Sequence, residues 1–178
     1  MLGTKHPRET PTRERVWSES KPSVSVIAPT IRQMEMLGEA VDVLRDFGIP
    51  VEQSIVAAHR APKRTLRYIA GLDQKGVKVV IAGAAGSAFL PCIIASLTNI
   101  PVIGVPLKGD TMAGRDSMVS MLQSGKGVPV ATMGINESYN AGLLACKILS
   151  IRHRHVRNEL TRRREITKHS VKSPARHD

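Results

Sequence analysis

Residues 56–62, VAAHRAP, set a histidine beside an arginine directly after an apolar, β-rich run. Histidine is the side chain that moves protons near neutral pH, and arginine offers a planar fork matched to a phosphate or carboxylate. At the carboxyl end of a strand, His59 and Arg60 read as a proton-transfer site with its anion anchor; the alternative is a loop histidine satisfied by its neighbours. His59 is the only histidine in residues 23–150. A second loop, GAAGSAF over residues 83–89, is rich in small residues. Its backbone can approach a flat ligand closely, or it can simply permit tight helix–strand packing. It is neither a GxGxxG fingerprint nor a P-loop, so no nucleotide cofactor is expected. No metal site is expected either, because His153 and His155 stand in a basic segment without acidic or cysteine ligands at metal spacing.

Such loops need elements to hold them. SVSVIA (23–28) reads as a first strand, followed by a helical pattern through Met34, Leu37, Val41 and Leu44 that stops at Gly48. VEQSIV (51–56) is a second strand, and Pro62 opens a helix through Leu66, Ile69 and Leu72 to Gly76. VKVVIAG (77–83) is apolar without alternation, as expected of a strand covered on both faces. AFLPCIIASLT reads as a short helix, PVIGVP (101–106) as a fourth strand, RDSMVSMLQSG as a helix and VPVATMGI (128–135) as a fifth strand. YNAGLLACKILSI then opens a final helix that continues into RHRHVRNELTRRREI. Five strands alternating with helices imply an α/β fold, a parallel sheet with helices on both faces joined by right-handed crossovers. Ligands of such sheets bind beyond the carboxyl ends of the strands, near the topological switch point. The loops at 28–32, 57–61, 83–89, 106–116 and 133–139 are therefore where a site belongs.

A chain of 178 residues is most simply one domain, and aromatics at 3% leave its core to Val, Ile, Leu, Met and Ala. No apolar run approaches the length of a membrane span. Residues 1–22 are polar, carry Pro7, Pro11 and Pro22, and read as a disordered or loosely docked arm without a secretory apolar region. Cys92 and Cys146 fall in apolar segments and read as reduced core residues, which fits an intracellular, cytoplasmic protein. The formal charge of +11 is unevenly spread: residues 151–178 hold nine basic residues against three acidic, whereas residues 23–150 hold twelve against nine. Residues 151–178 thus read as a basic C-terminal helix and tail. Residues 152–178 could contact a polyanion or nucleic acid, or could simply be a solvated helix end. No zinc-finger or RNA-binding motif accompanies them.

Taken together, AAHRAP, VVIAGAAGSAFLPCIIASLTNIPVIGVP, GRDSMVSMLQSGKGVPVAT and INESYNAGLLACKIL resemble the PurE family of purine biosynthesis over about residues 23–165. Members are N5-carboxyaminoimidazole ribonucleotide mutases and aminoimidazole ribonucleotide carboxylases. The resemblance implies a flavodoxin-like three-layer sandwich with a five-stranded parallel sheet, a homo-octamer, no metal and no organic cofactor. It implies that His59 is the general acid–base handling the proton at C4 of the imidazole while the carboxylate moves, and that Arg60 binds the ribotide phosphate. Ala58 joins them, and the backbone of Gly83, Ala84, Ala85, Gly86 and Ser87 would cradle the imidazole and its carboxylate.

Three positions depart from the family pattern. The first loop, G-S-x-S-D in the family, aligns with Ala28, Pro29, Thr30, Ile31 and Arg32; the serine before the motif's Ala-His-Arg is Ala57; and H-L-P-G-M becomes FLPCI, with Phe89 in place of a histidine and Cys92 in place of a glycine. Arg32 then reads either as an arginine swung out to solvent or as a cation awaiting an anion, joining Arg60 around a phosphate or carboxylate. Three functions remain open on these residues. They are carboxylate transfer on an aminoimidazole ribonucleotide, a catalytically degenerate scaffold that binds anions or nucleic acid, and His59 chemistry on a different phosphorylated ligand.

Overall fold

The computed structural model describes residues 21, 23–110 and 112–171, with side chains as far as residue 168. The arm expected over residues 1–22 lies outside these apart from Lys21, as does the end of the basic tail from residue 172 onward.

Five strands, β1 (Val24–Ala28), β2 (Val51–Ile55), β3 (Val79–Ala84), β4 (Val102–Pro106) and β5 (Ala131–Thr132), form one sheet in the order β2-β1-β3-β4-β5. Every neighbouring pair is parallel. This is the flavodoxin-like order, and its direction reverses between β1 and β3. The α/β reading of the sequence holds.

Among the described residues eight α-helices flank the sheet: α1 (Ile31–Glu35), α2 (Gly38–Asp46), α3 (Pro62–Ala70), α4 (Leu72–Lys75), α5 (Phe89–Leu97), α6 (Arg115–Leu122), α7 (Ser138–Ser150) and α8 (Arg154–Val171). Alternate side chains of the central strands serve different layers. Val79 and Ile81 pack with α2 and α7, whereas Val80 and Ala82 pack with residues of α3, α4 and α5. Both faces are thus apolar, which is why β3 showed no polar alternation.

The helix expected from residue 31 to Gly48 is broken. It ends at Glu35 and restarts at Gly38, with Leu37 fully buried at the break. The bend turns Leu37 into the space left by Gly83, where an added Cβ would stand 3.0 Å from Leu37 Cδ1 and 2.9 Å from Leu107 Cδ1. The continuous final helix is also two helices. Arg157 reaches back to the end of α7, donating from Nη2 to the Ser150 and Ile151 carbonyls at 2.9 and 3.2 Å. That cap satisfies carbonyls a helix end leaves orphaned. The reversal buries Val156 completely and seats Leu160 against the core shared with α7.

Two smaller differences are local. Strand β5 is two residues long rather than eight, since Pro129 in the expected run has no N–H to give a ladder. Leu66, expected on the buried stripe of α3, faces outward instead.

A polar network fixes the layer below the β2 edge. Ser25 on β1 is fully buried and donates to Glu52 Oε1 at 3.0 Å. The Tyr68 hydroxyl of α3 lies 2.8 Å from both Ser25 Oγ and Glu52 Oε1, and Lys75 Nζ reaches Glu52 Oε2 at 3.1 Å. Burial pushes the Tyr68 hydroxyl up to about 12, so it remains a donor at any ordinary pH. Helix α3 begins directly after the His59 loop, and this network pins it to the sheet.

Candidate functional site

Three loops meet where the strand order reverses. Pro29 and Thr30 follow β1; Val56, Ala58 and His59 follow β2; Ala84, Ala85 and Ser87 come from the end of β3 and its loop. With Gln33, Phe89 and Leu90 they line a cavity of about 250 Å³. A second cavity of about 570 Å³ shares Thr30, Gln33 and Ala85 with the first and extends past Arg32, Met36 and Gly86 to Lys108, Gly109 and Asp110 of the loop after β4. The shared walls make them two arms of one cleft at the carboxyl edge of the sheet.

Local chemistry explains the shape of each loop. The Thr30 side chain caps α1, accepting from the Gln33 amide at 3.3 Å. The turn at 57–61 closes with the amides of Arg60 and Ala61 both donating to the Ala57 carbonyl at 3.0 Å. Ala58 is buried beneath the turn, while His59 and Arg60 are exposed. Gly86 has a φ of 79°, a conformation that favours glycine, where the loop after β3 lines the larger arm. The Ala88 amide then donates to Ser120 Oγ at 3.0 Å, tying this loop to α6.

His59, Ala58, Ala84, Ala85 and Ser87 therefore share the smaller arm, and Gly86 and Arg32 line the larger one. Gly83 lines neither. It lies inside β3, where Leu37 and Leu107 crowd the place of a Cβ, so its small size serves packing. Arg60 also lines neither arm, and Arg32 faces a different anion from the one expected, Asp110 Oδ1 at 3.8 Å. Asp116 accepts from the Ser117 amide at 2.9 Å in the first turn of α6.

Two site features escaped the sequence. Gln33 lies on both arms, and among the described residues its Oε1 is the buried side-chain polar atom without a hydrogen-bond partner. It stands one residue beyond Arg32, the last residue of the loop expected at 28–32. Lys108 and Asp110 sit in the loop expected at 106–116, with nothing in their types to single them out.

A larger cavity, about 940 Å³, lies elsewhere. It surrounds residues 95–102 with Gly127 and Pro129, and Asp73 is its one titratable side chain, so size does not locate the chemistry here. Among the described residues no group of three or more His, Cys, Asp or Glu could hold a metal ion, and no helix is long and apolar enough to cross a membrane.

Comparison with known proteins gives a consistent result. The AIR carboxylase family model matches residues 23–170. The N5-carboxyaminoimidazole ribonucleotide mutase of Pyrococcus horikoshii is 42% identical over 156 residues, covering 88% of this chain and 88% of that protein. The mutase of Aquifex aeolicus is 47% identical over 133 residues, 75% of this chain and 80% of its own. The phosphoribosylaminoimidazole carboxylase of Saccharomyces cerevisiae is 46% identical over 129 residues, 72% of this chain but 23% of that longer protein. The crystal structure of Treponema denticola PurE superposes with a TM-score of 0.77 at 22% identity, covering 85% of this chain and 94% of that one.

Proposed function

Because the chain belongs to the AIR carboxylase family, we propose that it transfers a carboxylate on an aminoimidazole ribonucleotide in purine biosynthesis, with His59 as its proton shuttle. The observation that carries this reading is the placement of His59 on one cavity with Ala84, Ala85 and Ser87 at the switch point of the sheet. In the mutase form of the reaction the bond from the carboxyl carbon to the exocyclic nitrogen breaks and a bond to C4 forms. The C4 proton leaves, and the nitrogen regains a proton. One group that takes a proton and returns one closes that cycle, and an exposed imidazole at the cleft can do both. In the carboxylase form carbon dioxide adds to C4 and the proton is released.

Arg60 anchors the ribotide phosphate in this reading, and the loop of residues 84–87 receives the imidazole and its carboxylate. No cofactor is required. A cytoplasmic location goes with it, supported by two free cysteines, one of them buried.

The test is His59→Asn, which keeps size and some hydrogen bonding but removes the titrating group. Turnover of carboxyaminoimidazole ribonucleotide should fall at least about 10²-fold. Arg60→Ala should mainly raise KM, since a phosphate anchor serves ground and transition states alike. Undiminished turnover in His59→Asn refutes the assignment.

Two partners belong to the same proposal. A second copy of the chain is supported by the outer face of α5, where Phe89, Ile93 and Leu97 follow one another at four-residue spacing. Phe89 and Leu97 are 51% and 46% exposed, while Leu90, Pro91 and Ile94 are already used by the chain's own core. The octamer implied by the resemblance would cover this stripe, and light scattering reporting a monomer would refute it. A polyanion is supported by a groove of about 400 Å³ between α7 and α8, where Lys147, Arg157, Arg163 and Arg164 line the walls without a carboxylate among the described lining residues. Retention on heparin should fall steeply with salt.

A further inference from the structure

Arg60 lines neither arm of the cleft; it stands exposed in the turn that leads from His59 into α3. More cations follow it. Thr65 and Ile69 form the buried side of α3, which leaves Lys63, Arg64, Leu66 and Arg67 exposed on the other. Residues 56–71 contain no aspartate or glutamate. Among the described residues, Arg60, Lys63, Arg64 and Arg67 have no acidic partner within salt-bridge distance. Helical rise sets Arg67 only about 6 Å further along the axis than Lys63. The Debye length is about 8 Å at physiological salt, so these charges act as one patch. Lys63 and Arg64 also stand in the first turn of α3, where a cation opposes the helix dipole. The free protein thus holds like charges together, and against a dipole, in the segment that follows His59.

We propose that the exposed side of α3 is the approach path of the substrate: Lys63, Arg64 and Arg67 attract the ribotide's phosphate and guide it to Arg60, which brings the ring to His59. This inference rests on reading the cleft as the ribotide site, and Arg60 remains the phosphate anchor. A patch of one sign beside a cleft raises the local concentration of an oppositely charged ligand, and its on-rate, by roughly 10- to 10³-fold. Such a patch works through its field and not through fixed contacts. It therefore lowers KM, leaves kcat alone and fades as salt screens it. It also selects, because a ribotide with a phosphate and a carboxylate gains more from the path than its nucleoside, which keeps the carboxylate alone.

The test compares the full chain with a triple variant, Lys63→Gln, Arg64→Gln and Arg67→Gln, in turnover of carboxyaminoimidazole ribonucleotide. Salt is set at about 0.1 M and about 1 M, where the Debye length is roughly 10 and 3 Å. A control variant, Lys126→Gln, Arg152→Gln and Arg154→Gln, removes the same charge from exposed positions in other segments. At the lower salt the α3 variant should show KM raised about threefold or more with kcat unchanged, and the control should match the parent. At the higher salt all three should converge. The α3 variant should melt at or above the parent's temperature, because cations opposing the helix dipole are gone. A KM effect that survives high salt, or an equal effect in the control, would overturn the proposal. So would an unchanged KM, or a fall in kcat or in melting temperature. Binding of ribose 5-phosphate, followed by calorimetry at both salts, keeps the path apart from the reaction. Turnover without the salt-dependent difference in KM sinks the path alone. Absent turnover, with that difference intact in ribose 5-phosphate affinity, sinks the assigned reaction alone. Absence of both turnover and binding sinks the two together.

Discussion

Gln33 and His59 line one cavity from the loops of two adjacent strands, and among the described residues the Oε1 of Gln33 is the buried side-chain polar atom without a hydrogen-bond partner. A buried acceptor left unmade costs roughly 1–3 kcal/mol, so the free protein carries a cost that a donor on the ligand would remove. The hydroxyls of a ribose or the amino group of an aminoimidazole are such donors. Free and bound states should therefore respond in opposite directions when the amide is removed.

Gln33→Leu tests this directly. Without the orphaned carbonyl the free protein should melt at the same or a higher temperature. Binding should lose a hydrogen bond, raising KM about three- to tenfold with little change in kcat. A drop in melting temperature with unaltered KM would show that Gln33 serves the fold and not the ligand.

A second prediction concerns what holds His59 in place. The Tyr68 hydroxyl bonds both Ser25 and Glu52 under the β2 edge, and α3 carries it into register with the turn at 57–61. Tyr68→Phe leaves the buried Ser25 and the Glu52 carboxylate each one contact short. The loss should be about 1–3 kcal/mol, read as a fall of several degrees in melting temperature. Turnover should fall further than stability alone accounts for, because α3 positions the histidine turn. A melting temperature within one degree of the parent would mean that the network adds nothing net.

What could be read from the sequence divides along physical lines. His59, Ala58 and Ser87 were legible because apolar runs locate strand ends, and chemistry in a parallel sheet lies at the carboxyl ends of strands. Gly83 lines neither arm for a reason composition cannot show: the place of its missing Cβ is filled by Leu37 and Leu107, which come from distant segments. The break between α7 and α8 has no proline or glycine to signal it. The stop comes from Arg157 folding back onto the Ser150 and Ile151 carbonyls, a contact made after the turn it stabilises. Asp110 falls in the loop expected at 106–116, but its pairing with Arg32 depends on where α1 begins.

The last prediction turns on that starting point. Aligned with residues 28–32, the family's G-S-x-S-D loop puts Arg32 in the place of its aspartate. The structure favours a register one residue later. Thr30 is the capping hydroxyl of α1, and Gln33, not Arg32, shares the cavity with His59. In that register Thr30 stands for the first serine and Gln33 for the aspartate, both polar and both on the cleft, so fewer contacts are lost than the first alignment implied. Two grafts separate the registers. Placing Gly-Ser-Lys-Ser-Asp over residues 29–33 should keep the cap, set the aspartate beside His59 and raise turnover of carboxyaminoimidazole ribonucleotide. Placing it over residues 28–32 replaces buried Ala28 with glycine and leaves the aspartate on the arm away from His59. That graft should cost stability, by roughly 0.5–1 kcal/mol from glycine in a strand alone, and bring no gain in turnover. A larger gain from the 28–32 graft would restore the first alignment and remove Gln33 from the site.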